Sequence, residues 1–313
     1  MPELRPAPLY PGDQVMLVSP AGPVRREHVQ RGITLLREWG LSVTAAPHAY
    51  DRVGLFAGTD ADRLADLNAA LADPAVRAVL CTRGGYGSQR IVAGIDTAAV
   101  RRDPKIVLGF SDITALHLAL WRGARLATLH GPAFALRTDP DPATVAALRA
   151  ALFDPAPVRV ESDPAESTAT VTTAGRATGR LLGGNLAMLA ATVGTPDAPD
   201  LTGAVLLVED IAEPPYKVDR MLVQLARAGM LDGVVGVAVG QFTDCPHGDP
   251  SVPEVLAEHL HALGVPVLGG LPVGHGDVRI TVPLGTEAEL DADAGTLTVA
   301  PAVLRAGGIR GTC

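Results

Sequence analysis

Short apolar runs and amphipathic stretches alternate from the start of the chain. Val15–Val18 has the pattern of a buried strand, ended by Ser19, Pro20 and Gly22. Arg26–Trp39 then carries Val29, Ile33 and Leu36 at helical spacing until Gly40 stops it. Leu41–Ala45 reads as a second strand, and Thr59 with Asp62 has the form of a capping box ahead of a helix through Leu64, Leu67 and Leu71. Val76–Thr82 and Ile106–Phe110 are two further strands, both giving way abruptly to Gly, Ser and Asp before a new helical pattern. Strand, tight turn and helix repeated in this way predict a parallel sheet with helices on its faces.

After a helix at Pro142–Leu152 the texture changes. Asp154–Gly179 is rich in Pro, Ser, Thr and Ala without a sustained period, and reads as an interdomain crossover with one short strand around Val158–Val160. A second pattern follows: helices at Asn185–Val193, Val218–Ala228 and Pro253–Leu263, strands at Val205–Val208 and Val234–Val239, and a hairpin around Ala292–Gly295. Two α/β domains are expected: 1–155, then a crossover over 156–180, then 181–313.

Composition narrows the class. Lys and Arg number 26 against 34 Asp and Glu, a net charge of −8, so no basic excess exists to neutralise phosphates. Aromatics at 4% speak against stacking platforms for single strands, and 47% hydrophobic residues exclude a disordered chain. Cys81, Cys245 and Cys313 are too scattered for a disulfide framework or a CxxC site. With no signal-peptide pattern and no apolar run near the ~20 residues of a membrane helix, the expectation is a soluble cytoplasmic protein.

The most informative segment is Lys105–Leu120, where an apolar strand runs into Gly109-Phe110-Ser111 and a helix starts at once. A sharp strand-to-helix turn lifts a serine Oγ clear of the sheet, and the backbone N–H of Asp112 becomes a donor for an oxyanion. Ile113 replaces the second glycine of the nucleophile-elbow pattern, so a simple helix cap by Ser111 or Asp112 is the competing reading. Arg83-Gly84-Gly85-Tyr86-Gly87 follows another strand. Its backbone N–H groups could form half of an oxyanion hole, bind phosphate or merely make a turn, though its spacing fits no nucleotide motif.

A nucleophilic serine needs a base, and His275 stands out among eight histidines because Gly274 and Gly276 free the backbone around it. His130 reads as a core or supporting residue, His247 as solvated, and His259 with His261 as a poor metal pair on one helix. Glu209 closes the strand Ala204–Glu209 at the end where ligands bind in open α/β sheets, with Asp210 and Glu213 as rivals.

These residues also resemble, in order and from about residue 10 to about 300, the muramoyltetrapeptide LD-carboxypeptidases. The matching motifs include Ala57-Gly58-Thr59, Arg63 through Asp66-Leu67, Arg83–Gly87, Gly109–Thr114, His130–Pro132, Gly183–Leu186, Leu207–Asp210 and Gly274–Gly276. The resemblance implies a flavodoxin-like N-terminal domain with a parallel sheet and a smaller swivelling β/α C-terminal domain. It further implies a serine peptidase with Ser111 as nucleophile, His275 as base, Glu209 orienting it, and the N–H groups of Asp112 and Gly85 as oxyanion hole. Arg83 is the expected cation for the substrate carboxylate. The implied partner is a murein tetrapeptide, cleaved in the cytoplasm during wall recycling by a homodimer, with neither nucleic acid nor membrane involved and no metal or cofactor required. Microcin C immunity peptidases share the triad but hold a nucleotide with aromatics on an extra loop. Between Phe134 and Gly203 this chain offers only Phe153 besides Phe134 itself. A non-catalytic two-lobed binding protein is the reading from another class.

Overall fold

In a computed structural model, residues 2–136 and 138–304 are described; Cys313 lies outside them. The first half alternates strand and helix as expected: β1 (Gln14–Val18), α1 (Arg26–Glu38), β2 (Ser42–Ala45), α2 (Asp60–Ala72), β3 (Val76–Cys81), α3 (Thr97–Arg102), β4 (Ile106–Gly109), α4 (Thr114–Ala124), β5 (Thr128–His130) and α5 (Pro142–Phe153). The second half comprises β6 (Val158–Glu161), β7 (Arg176–Asn185), α6 (Leu186–Ala190), β8 (Ala204–Ile211), α7 (Pro215–Arg227), β9 (Gly236–Thr243), α8 (Val252–His261), β10 (Val267–Leu268), β11 (Val282–Leu284), β12 (Glu287–Asp291) and β13 (Thr296–Val299).

The first sheet has the order β11-β5-β4-β3-β1-β2. Its five N-terminal strands pair in parallel as 2-1-3-4-5, the flavodoxin-like order. Successive side chains alternate faces, so Leu17, Leu80 and Leu108 pack against Leu36 of α1, whereas Val18, Val79 and Val107 pack against Leu67 of α2 and Leu116 of α4. Thr59 caps α2 through the expected box with Asp62.

The second sheet, β10-β9-β8-β7-β12-β13-β6, is mixed: parallel from β10 to β7 and antiparallel from β7 to β6. The expected crossover therefore supplies β6 to a sheet edge, and the hairpin near 292–295 joins β12 to β13. The division at 181 is also crossed in the other direction. β11 adds antiparallel to β5 of the first sheet, and Ala302 with Val303 pack into the core around Leu17. Leu118 and Trp121 of α4 in turn join the core built on Leu206 and Leu222. These exchanged segments hold the two sheets together. No helix of the described residues is long and apolar enough to cross a membrane.

Candidate active site

Ser111 sits at the turn between β4 and α4 with φ of 63°, a left-handed conformation uncommon for a residue with a side chain. The following residues form a single 3₁₀ turn leading into α4, so the Asp112 N–H belongs to a first turn without an intrahelical partner behind it. Ser111 is thus not a conventional N-cap, and Asp112 does not cap either. The Asp112 carboxylate accepts from Ser88 N at 2.9 Å, and its carbonyl accepts from Ser88 Oγ at 2.5 Å. That pair ties the glycine loop to the serine turn. Arg63, almost fully buried, donates to Gly87 O at 2.9 Å and to Pro20 O, fixing the loop from the other side.

His275 and Glu209 come together from the second domain. Their Nδ1 and Oε2 atoms are 2.6 Å apart, so the carboxylate accepts the Nδ1–H and leaves Nε2 as the proton-accepting edge. Glu209 does not close β8, as the sequence suggested; the strand runs on to Ile211. Its pairing with β9 shifts between Val208 and Asp210, and such an irregularity re-aims a side chain near a site. Gly274, with φ of 133°, holds a backbone conformation that residues with side chains rarely adopt, and a Cβ there would crowd Glu209, standing 2.7 Å from its Oε2 and 3.1 Å from its Cβ. Gln241 braces the histidine loop: its Oε1 accepts from Gly276 N at 2.7 Å, and its Nε2 donates to Val278 O and to Glu166 Oε1.

The rivals are engaged elsewhere. Asp210 accepts from Asn185 Nδ2, Ala187 N and Ile211 N, at 2.8–2.9 Å, at the start of α6; burial raises its carboxyl to about 6. Glu213 pairs with Lys217 at 3.3 Å. His259 bonds Asp219 and His261 bonds Val171 O, while His247 is exposed. His48, Asp51 and Asp62 do converge within 4.8 Å of one another, a grouping the sequence did not suggest, but none of the three lines the cleft described next. Burial pushes the Cys81 thiol up, as suits a core position.

Ser111, His275, Arg83, Gly84, Gly85 and Phe110 line one cleft of about 1500 Å³ between the two domains. Phe110 lies against the His275 ring, with centroids 4.7 Å apart. Arg83 Nε donates to Gly84 O at 3.2 Å and Nη1 to Pro23 O at 3.3 Å, which holds its guanidinium over Gly85. Arg25, Arg52 and Arg279 add positive charge to the same walls. Arg279 was not singled out by sequence. It is half-buried, with its guanidinium pKa lowered by that burial; its Nε donates to Gly276 O at 2.6 Å and its backbone N–H to Thr144 Oγ1 at 2.8 Å. Ser88 and Gln241 carry no local pattern, because each acts on residues distant in sequence.

Residues 15–131 match the LD-carboxypeptidase N-terminal domain and residues 178–290 the LD-carboxypeptidase C-terminal domain. A putative carboxypeptidase of Streptomyces coelicolor is 49% identical over 95% of this chain and 96% of its own. The chain belongs to the LD-carboxypeptidase family. Another relative in that family, the murein tetrapeptide carboxypeptidase of Pseudomonas aeruginosa, is 31% identical over 90% of this chain and 94% of its own. Among solved structures, the muramoyltetrapeptide carboxypeptidase of Oxalobacter formigenes superposes with a TM-score of 0.83 at 30% identity, over 93% of this chain and all of that one. The MccF protein solved with glutamyl sulfamoyl guanosine shares the two-domain α/β fold, with a TM-score of 0.84 at 24% identity over 95% of this chain and 98% of that one.

Proposed function

We propose that this LD-carboxypeptidase family member releases the terminal D-alanine of a murein tetrapeptide, with Ser111, His275 and Glu209 as its triad. The observation that carries the reading is the 2.6 Å His275–Glu209 pair facing the cleft that Ser111 also lines. The relatives' names supply the substrate class.

Ser111 Oγ attacks the carbonyl carbon of the residue before the terminal D-alanine, and His275 Nε2 takes its proton. Glu209 keeps Nδ1–H directed toward itself and balances the imidazolium charge. The carbonyl oxygen becomes an oxyanion held by the N–H groups of Asp112 and Gly85. Collapse breaks the C–N bond as His275 returns the proton to the leaving amine. Water, deprotonated by His275, then hydrolyses the acyl-serine. Arg83, with Nη2 uncommitted among the described residues, takes the free carboxylate that defines a carboxypeptidase substrate. On this reading residues 1–155 carry the nucleophile and 181–313 the acid and base, and the enzyme is a cytoplasmic homodimer that recycles wall peptides.

A nucleotide-linked peptide fits the cleft less well. Its walls contain neither Trp nor Tyr among the described residues, and Phe110 is already packed on His275. Phe153 lies edge-on to Trp39, with centroids 6.1 Å apart, beside the first domain's core. The deciving comparison is kcat/KM for free murein tetrapeptide against an aminoacyl-sulfamoyl adenosine: the tetrapeptide should be preferred, and the reverse preference would replace this reading.

A further inference from the structure

Behind Glu209 lies a buried imidazole that the chemistry above does not use. His130 ends β5 at 1% exposure, and neither of its ring nitrogens has a hydrogen-bond partner among the described residues. Glu209 Oε1 is likewise buried without a partner, because His275 engages only Oε2. The two orphans are neighbours: His130 Nε2 is 3.9 Å from Glu209 Oε1. Buried polar atoms are almost always satisfied, and here one is a strict acceptor while the other can donate.

The surroundings determine what the ring offers. His130 packs edge-on to Phe110, with centroids 6.4 Å apart at 88°, and 6.2 Å from the ring of His117. Burial, with the neighbouring His117 and His275, lowers its pKa well below 6.5. A neutral imidazole supplies one N–H without bringing a second cation to compete for the charge that Glu209 directs at His275. A carboxylate also rotates easily about its last torsion, so one hydrogen bond on Oε2 does not fix its plane. A second bond on Oε1 does.

We propose that His130 is a positioning residue whose Nε2–H is donated to Glu209 Oε1, closing the gap by about 1 Å to normal hydrogen-bond length and locking the carboxylate plane onto His275. The inference rests on the acid–base reading of Glu209 and His275. It goes beyond that reading in giving the family's His130-Gly131-Pro132 segment a part in the chemistry.

The test is a double-mutant cycle on tetrapeptide hydrolysis with His130→Phe, Glu209→Gln and the double variant, plus His130→Gln to restore a donor. His130→Phe should lower kcat by about 10- to 100-fold, the usual cost of losing a partner that orients a working ligand, with KM changed less than about twofold. His130→Gln should recover most of the loss. Adding His130→Phe to Glu209→Gln should cost less than about a further twofold, since a residue acting only through Glu209 has nothing left to act on. An unimpaired His130→Phe enzyme, a glutamine no better than phenylalanine, or the full loss repeated in the Glu209→Gln background would each overturn the proposal. If His130→Phe does not fold by circular dichroism, His130→Asn, too short to reach Oε1, takes its place in the same cycle. A Glu209→Gln enzyme as active as the wild type would instead sink the acid–base reading itself, which separates the two failures.

Discussion

A Cβ placed on Gly84 would stand 2.9 Å from the Cβ of Ser111, 3.0 Å from Phe110 O and 3.1 Å from Asp112 N. The glycine loop and the serine turn are therefore in contact at the point where the oxyanion is expected. Gly84→Ala should push Ser111 and the Asp112 N–H out of register. The expected loss is about 10²- to 10³-fold in kcat, the cost of one oxyanion donor. Overpacking against backbone should also destabilise the fold by about 1–3 kcal/mol. Steady-state kinetics with a melting curve checks both, and a fully active Gly84→Ala enzyme would contradict this geometry.

The φ of 63° at Ser111 makes a second prediction, about stability alone. A side chain in that region costs about 1–2 kcal/mol that glycine does not incur. Ser111→Gly should therefore melt at a higher temperature than Ser111→Ala, although both lack the nucleophile. The expected difference is about 1 kcal/mol after allowing for glycine's freer unfolded chain. Equal melting temperatures would show that the turn is not strained.

Arg83 should act on binding. Arg83→Ala is expected to raise KM for the tetrapeptide by at least tenfold, in line with loss of a charge-assisted hydrogen bond to a carboxylate. The wild type should prefer the acid over the corresponding C-terminal amide, and Arg83→Ala should lose that preference. An unchanged KM would move the carboxylate site elsewhere in the cleft, with half-buried Arg279 the next candidate.

His117 braces the end of β4 through Nε2 donating to Gly109 O at 2.9 Å, and burial lowers its pKa to about 4. A base with a folded-state pKa below its unfolded value binds fewer protons when folded. Its stability contribution is thus complete above about 6.5 and is lost as pH falls from there toward about 4, by on the order of 3 kcal/mol. Asp210, raised to about 6, has the opposite sign and favours the folded state as pH falls through that value. Melting temperatures of the wild type and His117→Gln between pH 7 and pH 4.5 separate the two: the wild type should lose more. Parallel curves would mean that His117 is not buried as a neutral ring.

The sequence carried the alternation of strands and helices, the capping box at Thr59 and the strand-end position of Ser111, because each depends on neighbours within a turn or two. His275, read as following a strand, instead lies in a loop well beyond the two-residue strand Val267–Leu268. What the sequence hid depends on long-range pairing. A three-residue strand such as Val282–Leu284 has no period of its own, and only its partner β5 assigns it to the first sheet. Within 156–180 the short strand β6 was legible, but the bracing of Gln241 by Glu166 and of Gly240 by Thr168 was not, because both partners lie more than 70 residues away. Glu209 was legible as a carboxylate near a strand end, but the irregularity that aims it was not. Ser88 and Gln241, which fix the serine turn and the histidine loop, gave no signal in their own neighbourhoods.

The measurement that bears most directly on the proposed chemistry is incubation of the purified protein with free murein tetrapeptide, read by mass spectrometry beside Ser111→Ala. Removal of one member of such a triad costs on the order of 10⁴- to 10⁶-fold in kcat. The wild type should release one alanine per peptide, and the folded Ser111→Ala variant should release none in the same time. Alanine release by Ser111→Ala at the wild-type rate, or none by a folded wild type, would contradict the account.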